Sequence, residues 1–100
     1  MPVKRVGAPA PQALVISSDA LNRHSLDVCV VPISTAEHKA FRLRPNLLVG
    51  EGGLDRDSWV KCDQVTTIEK SKAVYPPLGA LSHAALEKIE QAIKLALDLP

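Results

Sequence analysis

The sequence predicts a small, mainly β domain in which about five short strands are followed by one C-terminal helix. Three observations carry this. Short apolar runs recur at 13–17, 27–33 and 59–68, each bounded by polar or turn-forming residues. A helical spacing of apolar residues appears only after Ser82. One hundred residues, 46% of them hydrophobic, are enough for one core and no more. The aromatics are Phe41, Trp59 and Tyr75, so the core must be aliphatic.

Taken in order, residues 1–12 contain Pro2, Pro9 and Pro11 with Gly7 between them. Proline gives no amide donor and resists central strands, which predicts an extended arm. Ala13-Leu14-Val15-Ile16-Ser17 reads as a buried strand. Ser18 to Asn22 offers a capping residue and a single helical turn. Asp27-Val28-Cys29-Val30-Val31-Pro32-Ile33 is a second buried strand that gives way to a loop at Ser34 and Thr35. Phe41-Arg42-Leu43-Arg44 alternates apolar with charged, as a half-exposed strand does. Gly50, Gly52 and Gly53 mark a turn, and strand pattern returns over 59–68 with a break near Gln64. Ser82 caps a helix over 82–98, whose apolar face is Ala85, Leu86, Ile89, Ala92, Ile93, Ala96 and Leu97. Glu90 and Lys94 form an i,i+4 pair on the other side.

Twelve basic and eleven acidic residues leave a net charge of +1. Any nucleic-acid contact must then be a local patch rather than the whole surface. Cys29 and Cys62 belong to no CxxC pair and have no histidine at zinc spacing. They read as reduced thiols of a cytoplasmic protein, with no metal or cofactor implied. The apolar runs fall well short of the roughly 20 residues that span a bilayer, so no membrane association is expected.

The chemically informative stretch is Gly53-Leu54-Asp55-Arg56-Asp57-Ser58-Trp59-Val60-Lys61-Cys62-Asp63-Gln64-Val65. Strand alternation would put Val60, Cys62 and Gln64 on one face and Trp59, Lys61, Asp63 and Val65 on the other. An ammonium, a carboxylate and an indole side by side suit a phosphate, a proton and a stacked base. They equally suit a solvent-facing ion pair beside a surface tryptophan, and spacing alone favours that plainer reading. His24, His38 and His83 lie on polar segments and read as surface residues.

The order of several blocks resembles the MazF/PemK toxin family over about residues 13–99. Ala13-Leu14-Val15-Ile16-Ser17 with Asn22 is similar to that family's early strand and turn. Val31-Pro32-Ile33-Ser34-Thr35 resembles its Pro-x-Thr-Ser strand end. Gly53-Leu54, Asp57-Ser58 and Val60-Lys61-Cys62-Asp63-Gln64-Val65 are similar to its most recognisable block, and Leu78-Gly79-x-Leu81-Ser82 with the final helix completes the likeness. The resemblance implies a single domain over 1–100: a small SH3-like, CcdB/Kid-type barrel with a C-terminal α-helix, forming a homodimer. It implies a type II toxin that cuts single-stranded RNA without a metal, by 2′-hydroxyl attack leaving a cyclic phosphate, and a cognate antitoxin that restrains it. By the same resemblance the catalytic residues are Asp63, Lys61 and Ser34, with Thr35 as an RNA contact; Trp59, on the strand face with Lys61, is the further candidate RNA contact.

The chain also departs from the pattern. The family's first strand and loop have no evident counterpart, and Pro11-Gln12 stands where an Arg-Pro pair precedes the strand at Leu14. Arg5 on the arm is the candidate RNA-binding replacement. Lysine at 61 replaces an arginine, and an ammonium cannot make the bidentate contact that a guanidinium makes with phosphate. A second hypothesis is therefore a weak or inactive toxin-fold protein that dimerises and binds an antitoxin. A third is a gyrase poison on the same barrel, which the Cys62-Asp63-Gln64 block disfavours.

Overall fold

The computed structural model describes the backbone of residues 2–6, 12–35 and 42–100, and the side chains of these except 2–6 and 73–78. The chain runs β1 (Pro2–Val6), β2 (Gln12–Val15), α1 (Asp19–His24), β3 (Asp27–Ser34) and β4 (Asn46–Leu47). A 3-10 turn (Glu51–Gly53), β5 (Ser58–Val60), β6 (Thr66–Glu69), a second 3-10 turn (Lys70–Lys72), β7 (Ala73–Ala80) and α2 (His83–Ala96) follow. The strands pair antiparallel in the order β4-β5-β3-β2-β1-β7, with β6 beside the first half of β3. The sheet curls into a half-barrel and packs on α2, so the predicted mainly β fold with a C-terminal helix holds.

β3 is the hub. Residues 30–32 pair with β2, 27–30 with β6, and 33–34 with β5. Its apolar run is continuous because both faces of the sheet are covered. Leu14 and Val31 pack in the larger cluster with Val60, Cys62, Ala85, Ile89 and Ala92. Ala13, Val15, Val28 and Val30 form a second cluster, closed by Ile68. The helix starts where its cap predicts: Ala85 N donates to Ser82 Oγ at 3.2 Å. Leu97, expected on its apolar face, lies past the last turn and is exposed.

The arm expected over residues 1–12 is a correction. Pro2–Val6 is a strand with a partner on each side, β2 and β7, so the family's first strand is present after all. Pro2 stands at its first position, where a missing amide is tolerated; Pro9 and Pro11 lie outside the described residues. β7 is likewise a strand that sequence patterning misses, because it carries Pro76 and Pro77. The ladder accommodates them by slipping: Val3 pairs with Gly79 and Arg5 with Val74, which leaves residues 75–78 opposite Lys4 alone. Prolines are admitted at such a bulge on an edge strand. The half-exposed strand expected at 41–44 is not found. Phe41 lies outside the described residues and 42–44 form a turn and bend. Pro45 follows, and the short strand comes after it, at Asn46–Leu47.

Gly79 on β7 crosses the Glu51–Gly53 turn so closely that a β-carbon would sit 2.8 Å from Gly52 C and O. The Glu51 carboxylate also accepts hydrogen bonds from the Ser82 amide and, at 3.0 Å, from the Ser82 hydroxyl, tying the turn to the start of α2. This tether fixes the segment that leads into residues 54–57.

Candidate active site

Ser34 closes β3 and stands opposite Trp59 in the ladder with β5. The ladder runs one residue beyond β5, because Lys61 N donates to Pro32 O at 2.9 Å. These two facts bring the end of β3 and Lys61 to one wall of a cleft of about 580 Å³. Ser34, Thr35 and Lys61 line it with Pro32, Ile33 and Gln12, and Asp55 and Arg56 also line it. Of the expected site residues, Ser34, Thr35 and Lys61 are thus brought together. Trp59 is the cross-strand neighbour of Ser34 and does not itself line the cleft.

Asp63 sits elsewhere. The predicted alternation holds only as far as Cys62: Ser58, Val60 and Cys62 are fully buried, while Trp59 and Lys61 are half-buried on the other side. The chain then turns, with Gln64 N donating to Lys61 O at 3.0 Å, and Gln64 is exposed rather than buried. Asp63 at that turn is gripped by Arg44, whose Nε donates to Oδ1 and Nη2 to Oδ2, both at 3.1 Å. The Arg44 hydrogen bonds hold the Asp63 carboxyl below the usual carboxylate range, helped by the charges of Arg44 and Lys61. The Arg44 guanidinium is pushed up in turn. Cys62, buried behind them, has its thiol pushed up to about 12, first by desolvation and then by the charge of Asp63. A thiol so placed is a core residue, not a nucleophile.

Two basic residues escaped the sequence reading. Arg44 lies 19 positions from Asp63, and its pattern pointed to a strand; no local signal marks the pair. Arg56 sits in the informative stretch, between the Gly53-Leu54 and Asp57-Ser58 pairs that carry the family likeness, but has no spacing that singles it out. Its loop is fixed at several points. Leu54 is buried, Val49 N donates to Asp57 Oδ1 at 2.8 Å, and Ser58 Oγ donates to the Arg56 carbonyl at 3.0 Å. Arg5 lies in β1 opposite Gln12 in the register, and its side chain is outside the described residues. Pro11 and His38 are also outside them, while His24 and His83 are exposed. Among the described residues no three His, Cys, Asp or Glu side chains converge as metal ligands would.

A family profile described as PemK-like, MazF-like toxin of type II toxin-antitoxin system matches residues 8–97. The chain belongs to this MazF/PemK family of toxin endoribonucleases. Endoribonuclease MazF4 of Mycobacterium tuberculosis (strain ATCC 25618 / H37Rv) is 30% identical over 95 residues, covering 95% of this chain and 86% of that one. Endoribonuclease MazF9 of the same strain is 28% identical over 92 residues, covering 87% of this chain and 77% of the relative. A solved endoribonuclease from Mycobacterial species, in complex with its cognate antitoxin, superposes with a TM-score of 0.85 at 28% identity, over 99% of this chain and 93% of that one. Mycobacterium tuberculosis toxin MazF-mt6 superposes at 0.87 over 100% and 99% of the chains, and at 24% identity that likeness concerns the fold. Among the described residues, no helix of this MazF-family chain is long and apolar enough to cross a membrane.

Proposed function

We propose that this toxin cuts single-stranded mRNA in the cytoplasm, without a metal, at the cleft between the end of β3 and the 54–57 loop. The observation that carries the reading is the convergence there of two hydroxyls, Ser34 and Thr35, with two cationic side chains, Lys61 and Arg56. In a chain of net charge +1, this is the local patch that an RNA backbone requires. In the reaction the ribose 2′-hydroxyl attacks the adjacent phosphate and expels the 5′-oxygen, leaving a cyclic phosphate. Lys61 holds that phosphate as a point charge. Ser34 donates to a non-bridging oxygen as negative charge develops on it. Thr35 adds a contact to the flanking backbone, and Trp59, the cross-strand neighbour of Ser34, offers an aromatic surface for a base. Asp63 keeps a place in this scheme as the residue that orders the turn after Lys61, since both its oxygens are committed to Arg44.

The cognate antitoxin belongs to the same reading. A similar endoribonuclease is solved in complex with its cognate antitoxin, and an extended acidic segment laid over the cleft of this chain would satisfy the same cations that hold RNA. A homodimer is also part of it. β4 and β7 end the sheet, and a domain of this size has little surplus core with which to protect them.

One observation favours a second reading, a toxin-fold protein that binds its antitoxin but cuts poorly: Pro11-Gln12 replaces the expected Arg-Pro. The deciding experiment incubates a long single-stranded transcript with the protein in EDTA, beside Ser34→Ala and Lys61→Ala. Each substitution is expected to slow cutting about 100-fold or more, as loss of one oxyanion donor does. Cutting that disappears in EDTA, or that survives both substitutions, would overturn the first reading. Absence of cutting with antitoxin binding intact would establish the second.

A further inference from the structure

Asp55 and Arg56 line the cleft together with Ser34, Thr35 and Lys61, and nothing so far gives them a chemical role beyond the patch of charge. Three features single them out. First, the other guanidinium described near the site, Arg44, is engaged by Asp63, whereas no ion pair or side-chain hydrogen bond of Arg56 or Lys61 occurs among the described residues. Second, the loop that presents them is held rigidly by the buried Leu54, the Asp57 carboxylate on Val49 N and the Ser58 hydroxyl on the Arg56 carbonyl. The exposed side chains of residues 55 and 56 are thus offered from a fixed backbone, as a preorganised site requires. Third, 2′-hydroxyl attack needs a proton acceptor within hydrogen-bond reach of the substrate. Asp63 does not line the cleft, and Asp55 is the carboxylate that does.

We propose that the Asp55–Arg56 bend completes the active site: Arg56 grips the scissile phosphate through its guanidinium, and Asp55 takes the proton of the attacking 2′-hydroxyl. The inference rests on the endoribonuclease reading of this cleft and deepens it. In the step, the proton passes from the 2′-oxygen to an Asp55 carboxylate oxygen as the 2′-oxygen's electron pair forms the new bond to phosphorus. The bond from phosphorus to the 5′-oxygen breaks, its electron pair stays on that oxygen, and water supplies the proton that makes the 5′-hydroxyl. Asp55 then returns its proton to water, so nothing is oxidised or reduced. Arg56 makes the planar, bidentate contact that Lys61 cannot, which supplies what the Pro11-Gln12 substitution removes from the β2 side. The charged groups around Asp55 are its neighbour Arg56, Lys61 in the lining of the same cleft, and Asp57 two positions on, whose carboxylate accepts from Val49 N.

The test compares Arg56→Ala, Arg56→Lys and Asp55→Asn with the unaltered protein. It measures single-turnover cutting of a single-stranded transcript across pH, and binding of a 2′-O-methyl copy of the cut region, which cannot react. Arg56→Ala should slow cutting by about 100- to 1000-fold and weaken binding of the 2′-O-methyl strand, with Arg56→Lys recovering part of the binding and less of the rate. Asp55→Asn should slow cutting by about 100-fold or more and remove the rise of rate with pH on the acid side. Its binding of the unreactive strand should be unchanged or tighter, which a merely structural role would not produce. Both side chains are exposed, so the substitutions should leave the fold intact, and a thermal melt of each variant checks this. If Ser34→Ala and Lys61→Ala silence the protein while Asp55→Asn and Arg56→Ala do not, this inference fails and the cleft stands. If none of the four changes cutting, the reading of the cleft fails and this inference with it. If the unaltered protein cuts nothing, the role of Asp55 is overturned, while weaker binding by Arg56→Ala would still uphold the phosphate contact.

Discussion

Replacing Gly79 by alanine tests how firmly β7 and the Glu51–Gly53 turn are pressed together. The added methyl would lie 2.8 Å from Gly52 C and O and 3.1 Å from Gly53 N. Carbon contacts are comfortable from about 3.5 Å, so the two backbones must part by roughly 0.7 Å. No side chain can rotate away, because every atom in the way is main chain. The turn cannot yield easily either: Gly52 and Gly53 sit at φ 59° and 80°, and Glu51 is tied to Ser82. Overpacking of this kind costs about 1–3 kcal/mol. In a domain of this length each kcal/mol lowers the melting temperature by about 4–8 °C, so a fall near 10 °C is expected. Gly50→Asn serves as the control. Gly50 has φ 95° with nothing within 4 Å of its β-position, and asparagine tolerates positive φ, so only a small loss is expected there. Urea midpoints and thermal melts of both variants decide the matter. Gly79→Ala melting within about 2 °C of the unaltered protein would refute the close approach.

Asp63→Asn should make stability less sensitive to acid. The Asp63 carboxyl is held below its unfolded value, so its contribution is present above about pH 4 and is lost as pH falls through the lower folded value. Melting curves from pH 7 to pH 2 should therefore fall less steeply for the variant, and parallel curves would contradict the Arg44 contact. Cys62, with its thiol pushed up to about 12 inside the core, should resist alkylation at pH 8 in the folded protein, while the half-buried Cys29 is labelled first. Mass-spectrometric mapping of labelled peptides checks the order. On the proposed reading of the cleft, Lys61→Glu should weaken binding of the cognate antitoxin by an amount that shrinks as salt is raised. An unchanged titration would place the antitoxin elsewhere.

Much of the site was legible because it rests on short-range patterns. The run ending Pro32-Ile33-Ser34-Thr35 had to be a strand that gives way to a loop, and Lys61 had to stand on the face opposite Val60 and Cys62. Asp63 was misplaced because alternation cannot say where a strand stops; β5 ends once Cys62 N turns back to Leu43 O. The grip of Arg44 on Asp63 spans 19 residues, and the cleft joins the Asp55–Arg56 bend to the end of β3 and to Gln12, segments far from it in sequence. No periodicity encodes such distances.

Local chemistry in the sequence determined the aliphatic core, the buried character of β2 and β3, the Ser82 cap and the amphipathic helix that follows it. Each of these depends on side chains within a few residues of one another. Only the tertiary structure decided that Pro2–Val6 is a central strand and that Pro76 and Pro77 fit a bulge in an edge strand. It also decided which carboxylate faces the cleft. Strand pairing is a contest among distant segments for the same backbone hydrogen bonds, and its outcome depends on the curl of the whole sheet rather than on any one stretch of chain.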